Sequence, residues 1–215
     1  MNVAGDTFIL RSEDVSGDVW HDWRWQYKNI IHTLPQLARV LNKPLSALGE
    51  LNAVDSCYPF AITPYYLSLM DIMDKSGPLR LQCFPDQREI CFSLGGVEDP
   101  LGEKRGMPVP NLLHRYHDRC LMMVTKNCFT YCRHCNRKRM WGERIPANIR
   151  ENLRMMLDYV AQSPGIREVI VSGGDPLTLE DDTLDWFLGR LRAISHVEVL
   201  RVGSRVSVVL PMRIT

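Results

Sequence analysis

The sequence has almost no excess charge of either sign: 26 basic against 25 acidic residues leave a formal net charge of +1. A chain so balanced lacks the field that draws in nucleic acid or an anionic membrane, so neither is expected as a partner. No apolar run approaches the roughly 20 residues needed to cross a bilayer. Residues 1–11 show no basic segment leading into a long apolar core either, and the expectation is a cytoplasmic protein. Paired cysteines are missing too. The count is seven, with three crowded into eight residues and Cys57, Cys83, Cys91 and Cys120 scattered. That pattern suits a reducing compartment better than a disulfide framework, and the scattered four read as ordinary thiols.

A hydrophobic fraction of 45% is enough for a real core, in one large domain or two small ones. The most informative stretch is Cys128-Phe-Thr-Tyr-Cys132-Arg-His-Cys135, just after the apolar run Leu121-Met-Met-Val124. Here a fourth thiolate is what is lacking. Four would close a structural zinc site or a simple iron–sulfur site; three, spaced x3 then x2, leave one iron of a four-iron cluster open to another molecule. A zinc knuckle completed by His134 is the alternative, but a residue between Cys132 and Cys135 would have to fold back sharply to join a tetrahedral site. Arg133, His134, Arg137, Lys138 and Arg139 read as a nucleic-acid patch, as compensation for thiolates and an anionic ligand, or as solvated surface. Arg137 is singled out because it lies two residues past the last thiol.

In chain order, residues 1–19 lack periodicity and read as a flexible leader. Trp20, Trp23 and Tyr27 share one helical face, an aromatic stripe that predicts a single docked helix. Leu34, Leu37, Val40 and Leu41 predict another helix, Leu45, Leu48 and Leu51 a short one, and Thr63-Pro64 an N-cap followed by proline at the first helical position. A helical region is thus expected over residues 20–75. Residues 76–113 are dense in glycine and proline, which predicts a connecting segment. From residue 114 the rhythm changes. Strands are predicted over 120–125, 168–172 and 197–202, helices over 148–162 and 184–194, and a further strand beginning at Val206 to Leu210. Alternating strand and helix is the pattern of parallel βα units, so the fold class is α/β, a partial TIM-like barrel with parallel strands behind a small helical region.

Three further motifs lie where such a fold places ligands, or beside them. Ser172-Gly173-Gly174-Asp175 ends a buried strand; its glycines would let backbone approach a ligand, and Asp175 could accept from an ammonium group. His114-Arg115-Tyr116-His117-Asp118-Arg119 reads either as a clamp for phosphate or carboxylate or as a polar strand entry with a surface Arg119–Asp118 pair. Arg201-Val-Gly203-Ser204-Arg205 reads either as a contact to the same ligand or as a structural turn.

Taken together, these motifs resemble the radical S-adenosylmethionine (SAM) enzymes, and among them the lysine 2,3-aminomutase family. The resemblance runs through Trp20-His-Asp-Trp-Arg-Trp25, Ile62-Thr-Pro-Tyr-Tyr-Leu-Ser-Leu69, Pro108-Val-Pro110, His114-Arg-Tyr116, Tyr131-Cys-Arg-His-Cys135, Ser172-Gly-Gly-Asp175, Arg201-Val-Gly-Ser-Arg205, Val208-Val-Leu-Pro211 and Arg213-Ile-Thr215. It implies a [4Fe-4S] cluster on Cys128, Cys132 and Cys135, with SAM on its open iron and against Ser172, Gly173, Gly174 and Asp175. It also implies a pyridoxal phosphate (PLP) phosphate held by Arg115, Tyr116 and Arg119, and a substrate carboxylate on Arg137. The implied reaction is an isomerisation, L-lysine to L-β-lysine through a 5′-deoxyadenosyl radical, with an electron donor such as flavodoxin or ferredoxin. Glutamate, or a lysine of a translation factor, is the alternative substrate.

In that family the barrel continues past the Arg213-Ile-Thr215 segment, where the lysine that bonds PLP and the substrate-selecting acids are found. The resemblance therefore implies no catalytic lysine within the chain and an incomplete PLP site, as in a fragment, a truncated product or half of a split enzyme. A non-catalytic iron–sulfur or SAM-binding module is the competing reading. Homo-oligomerisation or a complementing C-terminal chain would cover the sheet edge left apolar by an open barrel.

Overall fold

The computed structural model describes residues 15–91, 96–141 and 148–215. Most of the expected leader therefore lies outside the described residues. The chain forms two compact units, one of Met1–Gly96, Phe129–Cys135 and Ser207–Thr215, the other of Val97–Cys128 and Asn136–Val206.

The first unit is helical. Its helices are α1 (Gly17–His21), α2 (Trp23–Lys28), α3 (Leu34–Val40), α4 (Asn52–Cys57), α5 (Pro64–Ser68), α6 (Pro78–Leu81) and α7 (Arg88–Cys91), with a 3-10 helix over Leu45–Leu51. Helix α3 starts on a full capping box: Thr33 accepts from the Gln36 amide while the Gln36 side chain returns to the Thr33 amide. Its residues Leu34, Leu37 and Val40 are buried, as the spacing predicts. Thr63 caps α5 with Pro64 at the first position. Its buried hydroxyl accepts from the Tyr66 amide at 3.1 Å and donates to the Val209 carbonyl at 2.6 Å. One side chain thus starts a helix and holds the returning 207–215 segment, whose Arg213 lies 4.4 Å from the Trp23 ring centroid.

The second unit is a four-stranded sheet, β1 (Leu112–Tyr116), β2 (Arg119–Thr125), β3 (Glu168–Gly173) and β4 (Val199–Val202), in that spatial order. Strands β2, β3 and β4 are parallel, with Cys120 opposite Val169 and Val169 opposite Leu200. The connections run through α8 (Ile149–Ala161) and α9 (Asp181–Arg192). Leu153, Met156, Leu157 and Val160 of α8 and Leu184, Phe187 and Leu191 of α9 bury against Met122, Val124, Val169 and Val171. These are helical and strand periodicities meeting in one core.

Several expectations are corrected. The parallel strands are preceded by an antiparallel one: β1 pairs with β2 around the turn His117-Asp118, and Arg119 pairs with Asp118 at the surface there, as the polar-entry reading has it. Residues 206–210 do not begin a strand. Val206–Val209 is a short helix, α10, with Val206, Val209 and Leu210 buried and Ser207 and Val208 exposed, a spacing of three and four that a short apolar run conceals. The single aromatic helix is two helices broken at Asp22, which accepts from the Arg24 amide as the cap of α2. Tyr27 is 44% exposed, and the buried position of α2 is Gln26, bonded to the Trp20 carbonyl and the Tyr65 amide. The segment read as a connection carries α6 and α7.

Candidate functional site

Strand β3 ends in Ser172-Gly173-Gly174-Asp175, and both glycines are required by backbone rather than by open space. Gly173 has φ +123°, and a Cβ there would lie 2.4 Å from the Thr125 carbonyl oxygen; one on Gly174 would lie 2.2 Å from that of Asn127. The Gly174 amide donates to Thr125 at 2.7 Å and the Asp175 amide to Asn127 at 2.6 Å. The close approach that the sequence assigned to a ligand is thus made first to residues 125–127, the path from β2 to Cys128.

Asp175 is buried and heavily engaged. Its carboxylate accepts from the Leu177 amide at 3.1 Å, from the Ser204 hydroxyl at 2.8 and 3.0 Å, and from the Arg205 amide at 2.8 Å. The motif at 201–205 therefore meets the motif at 172–175 directly. It acts as a turn clamped to Asp175, which ties the ends of β3 and β4 together.

Arg137 also comes to this end of the sheet, with Nη1 3.4 Å from the Gly173 carbonyl oxygen. Its Nε and Nη2 grip the fully buried Glu103 at 2.9 and 2.7 Å, and Arg139 Nη2 reaches the other oxygen of Glu103 at 2.6 Å. Burial pushes the Glu103 carboxyl up, but the hydrogen bonds from Arg137 and Arg139 outweigh it and leave the group below its ordinary value. Sequence reasoning missed Glu103, which sits in a glycine- and proline-rich segment with nothing around it to mark a buried acid.

Arg115, Tyr116 and Arg119 sit at the opposite end of β2, around the hairpin turn. Arg115 donates to the Leu101 carbonyl, Arg119 pairs with Asp118 at 3.1 Å, and Tyr116 is exposed. The six steps from Arg119 to Thr125 span about 20 Å at strand rise. The structure therefore brings together Arg137, Ser172–Asp175 and the approach to Cys128, and keeps the Arg-Tyr-Arg group a strand's length away. The three side chains are partly or largely exposed, and the donor chemistry suits a phosphate.

Cys128, Cys132 and Cys135 are all partly exposed and none is in a disulfide. Among the described residues no three His, Cys, Asp or Glu side chains are gathered as a ready metal site. The fit to a cluster therefore rests on the donor set, three unbridged thiols within one eight-residue segment. In the helical unit, Tyr131 donates its amide to Ala61 at 3.0 Å and Arg133 its amide to Gln82 at 2.8 Å. The Arg133 guanidinium is buried and bonds Glu89 twice, at 2.9 and 3.0 Å, and the carbonyls of Pro59 and Tyr58 at 2.8 and 3.0 Å. His134 is exposed. Arg133, grouped from sequence with possible surface charge, is instead an internal anchor. Its place between two thiols was the signal available.

Residues 122–213 match the family model of the radical SAM superfamily. The chain is 44% identical to the L-lysine 2,3-aminomutase of Clostridium subterminale over 94% of its own length and 49% of that protein's. Along nearly all of its own length the chain is thus similar to lysine 2,3-aminomutases. It is 40% identical to the L-lysine 2,3-aminomutase of Methanococcus maripaludis over its whole length and 52% of that protein's. It is 36% identical to the glutamate 2,3-aminomutase of Clostridioides difficile over 91% of its length and 46% of that protein's. The chain spans about half the length of the curated relatives it matches. Among the described residues no helix is long and apolar enough to cross a membrane.

Proposed function

We propose that the chain serves a radical SAM aminomutase reaction that moves the amino group of L-lysine from the α to the β carbon. The observation that carries the proposal is its likeness to lysine 2,3-aminomutase along nearly all of its length. The lower identity to the glutamate enzyme makes glutamate the second substrate. In this reading Cys128, Cys132 and Cys135 hold a [4Fe-4S] cluster, and assembly of the thiols accompanies metal binding, as in other sites not preformed without metal. When bound, the cluster and SAM supply a radical that takes hydrogen from an unactivated carbon, and PLP supplies electronic stabilisation at the migrating nitrogen.

The chain's own residues then orient and shield. Ser172, Gly173 and Gly174 offer backbone and hydroxyl groups to SAM at the end of β3. Asp175, engaged with Ser204 and Arg205, keeps that turn rigid and can still present its carboxylate to an ammonium group. Arg137, held on two of its donors by Glu103, presents Nη1 to a substrate carboxylate. Arg115, Tyr116 and Arg119 would take the PLP phosphate through charge-assisted and hydroxyl hydrogen bonds. An external one-electron donor, a flavodoxin or ferredoxin, supplies the electron.

The test is anaerobic reconstitution with iron and sulfide, followed by SAM, PLP, L-lysine and a reductant. Close to four irons per chain, SAM cleaved to 5′-deoxyadenosine and β-lysine formed are the expected results, each lost in Cys132→Ala. Stoichiometric zinc with no iron overturns the reading. Because the chain spans about half of its relatives, a second reading is a cluster- and SAM-binding module. SAM cleavage without β-lysine favours it.

A further inference from the structure

Arg133, an arginine set between two thiols, is buried rather than solvated. Its guanidinium hydrogen-bonds Glu89 twice and the carbonyls of Pro59 and Tyr58. Its own amide bonds Gln82, and the Tyr131 amide bonds Ala61. The Arg133 side chain is 6% exposed and that of Glu89 13%, so water screens the pair little. All these partners belong to the helical unit.

We propose that the Glu89–Arg133 pair is a positioning device for the thiol segment: it sets the backbone from Tyr131 to Cys135 in the metal-free protein, so that Cys132 and Cys135 meet iron on a segment already ordered. The physical argument is entropic. A loop that must bring thiols to one cluster gives up backbone freedom as it binds, and each residue fixed beforehand lowers that cost. Two backbone bonds and a bidentate buried pair fix Tyr131 and Arg133 on either side of Cys132, and the Cys135 amide closes onto the Cys132 carbonyl at 2.8 Å. Charge is what makes the pair hard to replace. A glutamine at 89 keeps the shape but offers one acceptor and leaves a buried guanidinium without its counter-charge. The role toward iron rests on the cluster reading above; the ordering of the segment does not.

The test compares wild type with Glu89→Gln and Arg133→Lys, which keeps the charge but loses the fork. Hydrogen exchange of the metal-free chain is followed in a peptide covering residues 129–136. Exchange at Tyr131 and Arg133 is expected to quicken about ten- to a hundred-fold in both variants, the loss of a charged hydrogen bond, while peptides of β2 and β3 stay unchanged. After reconstitution, the variants are expected to take up less iron and the fraction that loads to show an altered electron paramagnetic resonance spectrum once reduced. Unchanged exchange overturns the proposal, as does a variant with wild-type iron content and spectrum. If wild type takes up no iron, the cluster reading and the metal role of the pair fall together, and exchange still decides whether the pair orders the segment.

Discussion

At the scale of single residues, Glu103 is the most consequential side chain outside the motifs. A carboxylate with no exposed surface survives because two guanidinium groups saturate it, and removal of one partner from such a group leaves buried charge uncompensated. Glu103→Ala is expected to cost about 3–5 kcal/mol in urea unfolding. The pH dependence follows from the lowered carboxyl. A group whose folded value lies below its unfolded one stabilises above the unfolded value, and that contribution fades as pH falls through the folded value. Wild type should therefore lose more stability than Glu103→Gln on acidification from about pH 6 to about pH 3. Equal losses in the two proteins would show that the ion pairs carry no such linkage. If Arg137 takes the substrate carboxylate as proposed, substrate affinity should fall in Glu103→Gln as well, since Arg137 loses the partner that fixes its fork.

At the scale of elements, much was legible and the exceptions share a cause. Helices α8 and α9 and strands β2 and β3 have long, regular periodicity, and their expected ranges match to within a few residues. Short elements did not read. The run Val206–Val209 is too brief to distinguish strand from helix, and β1 hides in a stretch whose residues 114–116 are polar. Thr63 shows how local and distant information combine. Its cap on α5 follows from Thr-Pro in sequence, while its bond to the Val209 carbonyl, 146 residues away, does not. Thr63→Val should lose both, at a cost of about 2–4 kcal/mol: about 1 for the cap and the rest for a buried carbonyl left unpaired. Thermal unfolding measures it, and a loss of only the cap value would show that the carbonyl finds another donor.

At the scale of the molecule, β4 ends the sheet among the described residues, with Val199 38% and Val202 44% exposed. An edge that presents unpaired backbone beside apolar side chains invites pairing with another chain. The chain is expected to self-associate with rising concentration, and Val199→Lys with Val202→Lys to reduce that association, as read by sedimentation velocity. A wild-type monomer at all concentrations would remove this expectation.

The sequence by itself determined the α/β class, the succession of strands and helices, the three-thiol segment and the glycine pair after β3. These are properties of periodicity and spacing, which local chemistry dictates. It also carried the resemblance to the lysine 2,3-aminomutases. Tertiary structure alone decided what the charged residues do. Arginines and acids look alike in sequence whether they meet solvent or one another, so nothing local marked Glu103 as a buried acid, Arg133 as an anchor or Asp175 as a partner of Ser204. Their roles depend on which distant segment lies opposite, and burial, by making an unpaired charge costly, turns that proximity into function.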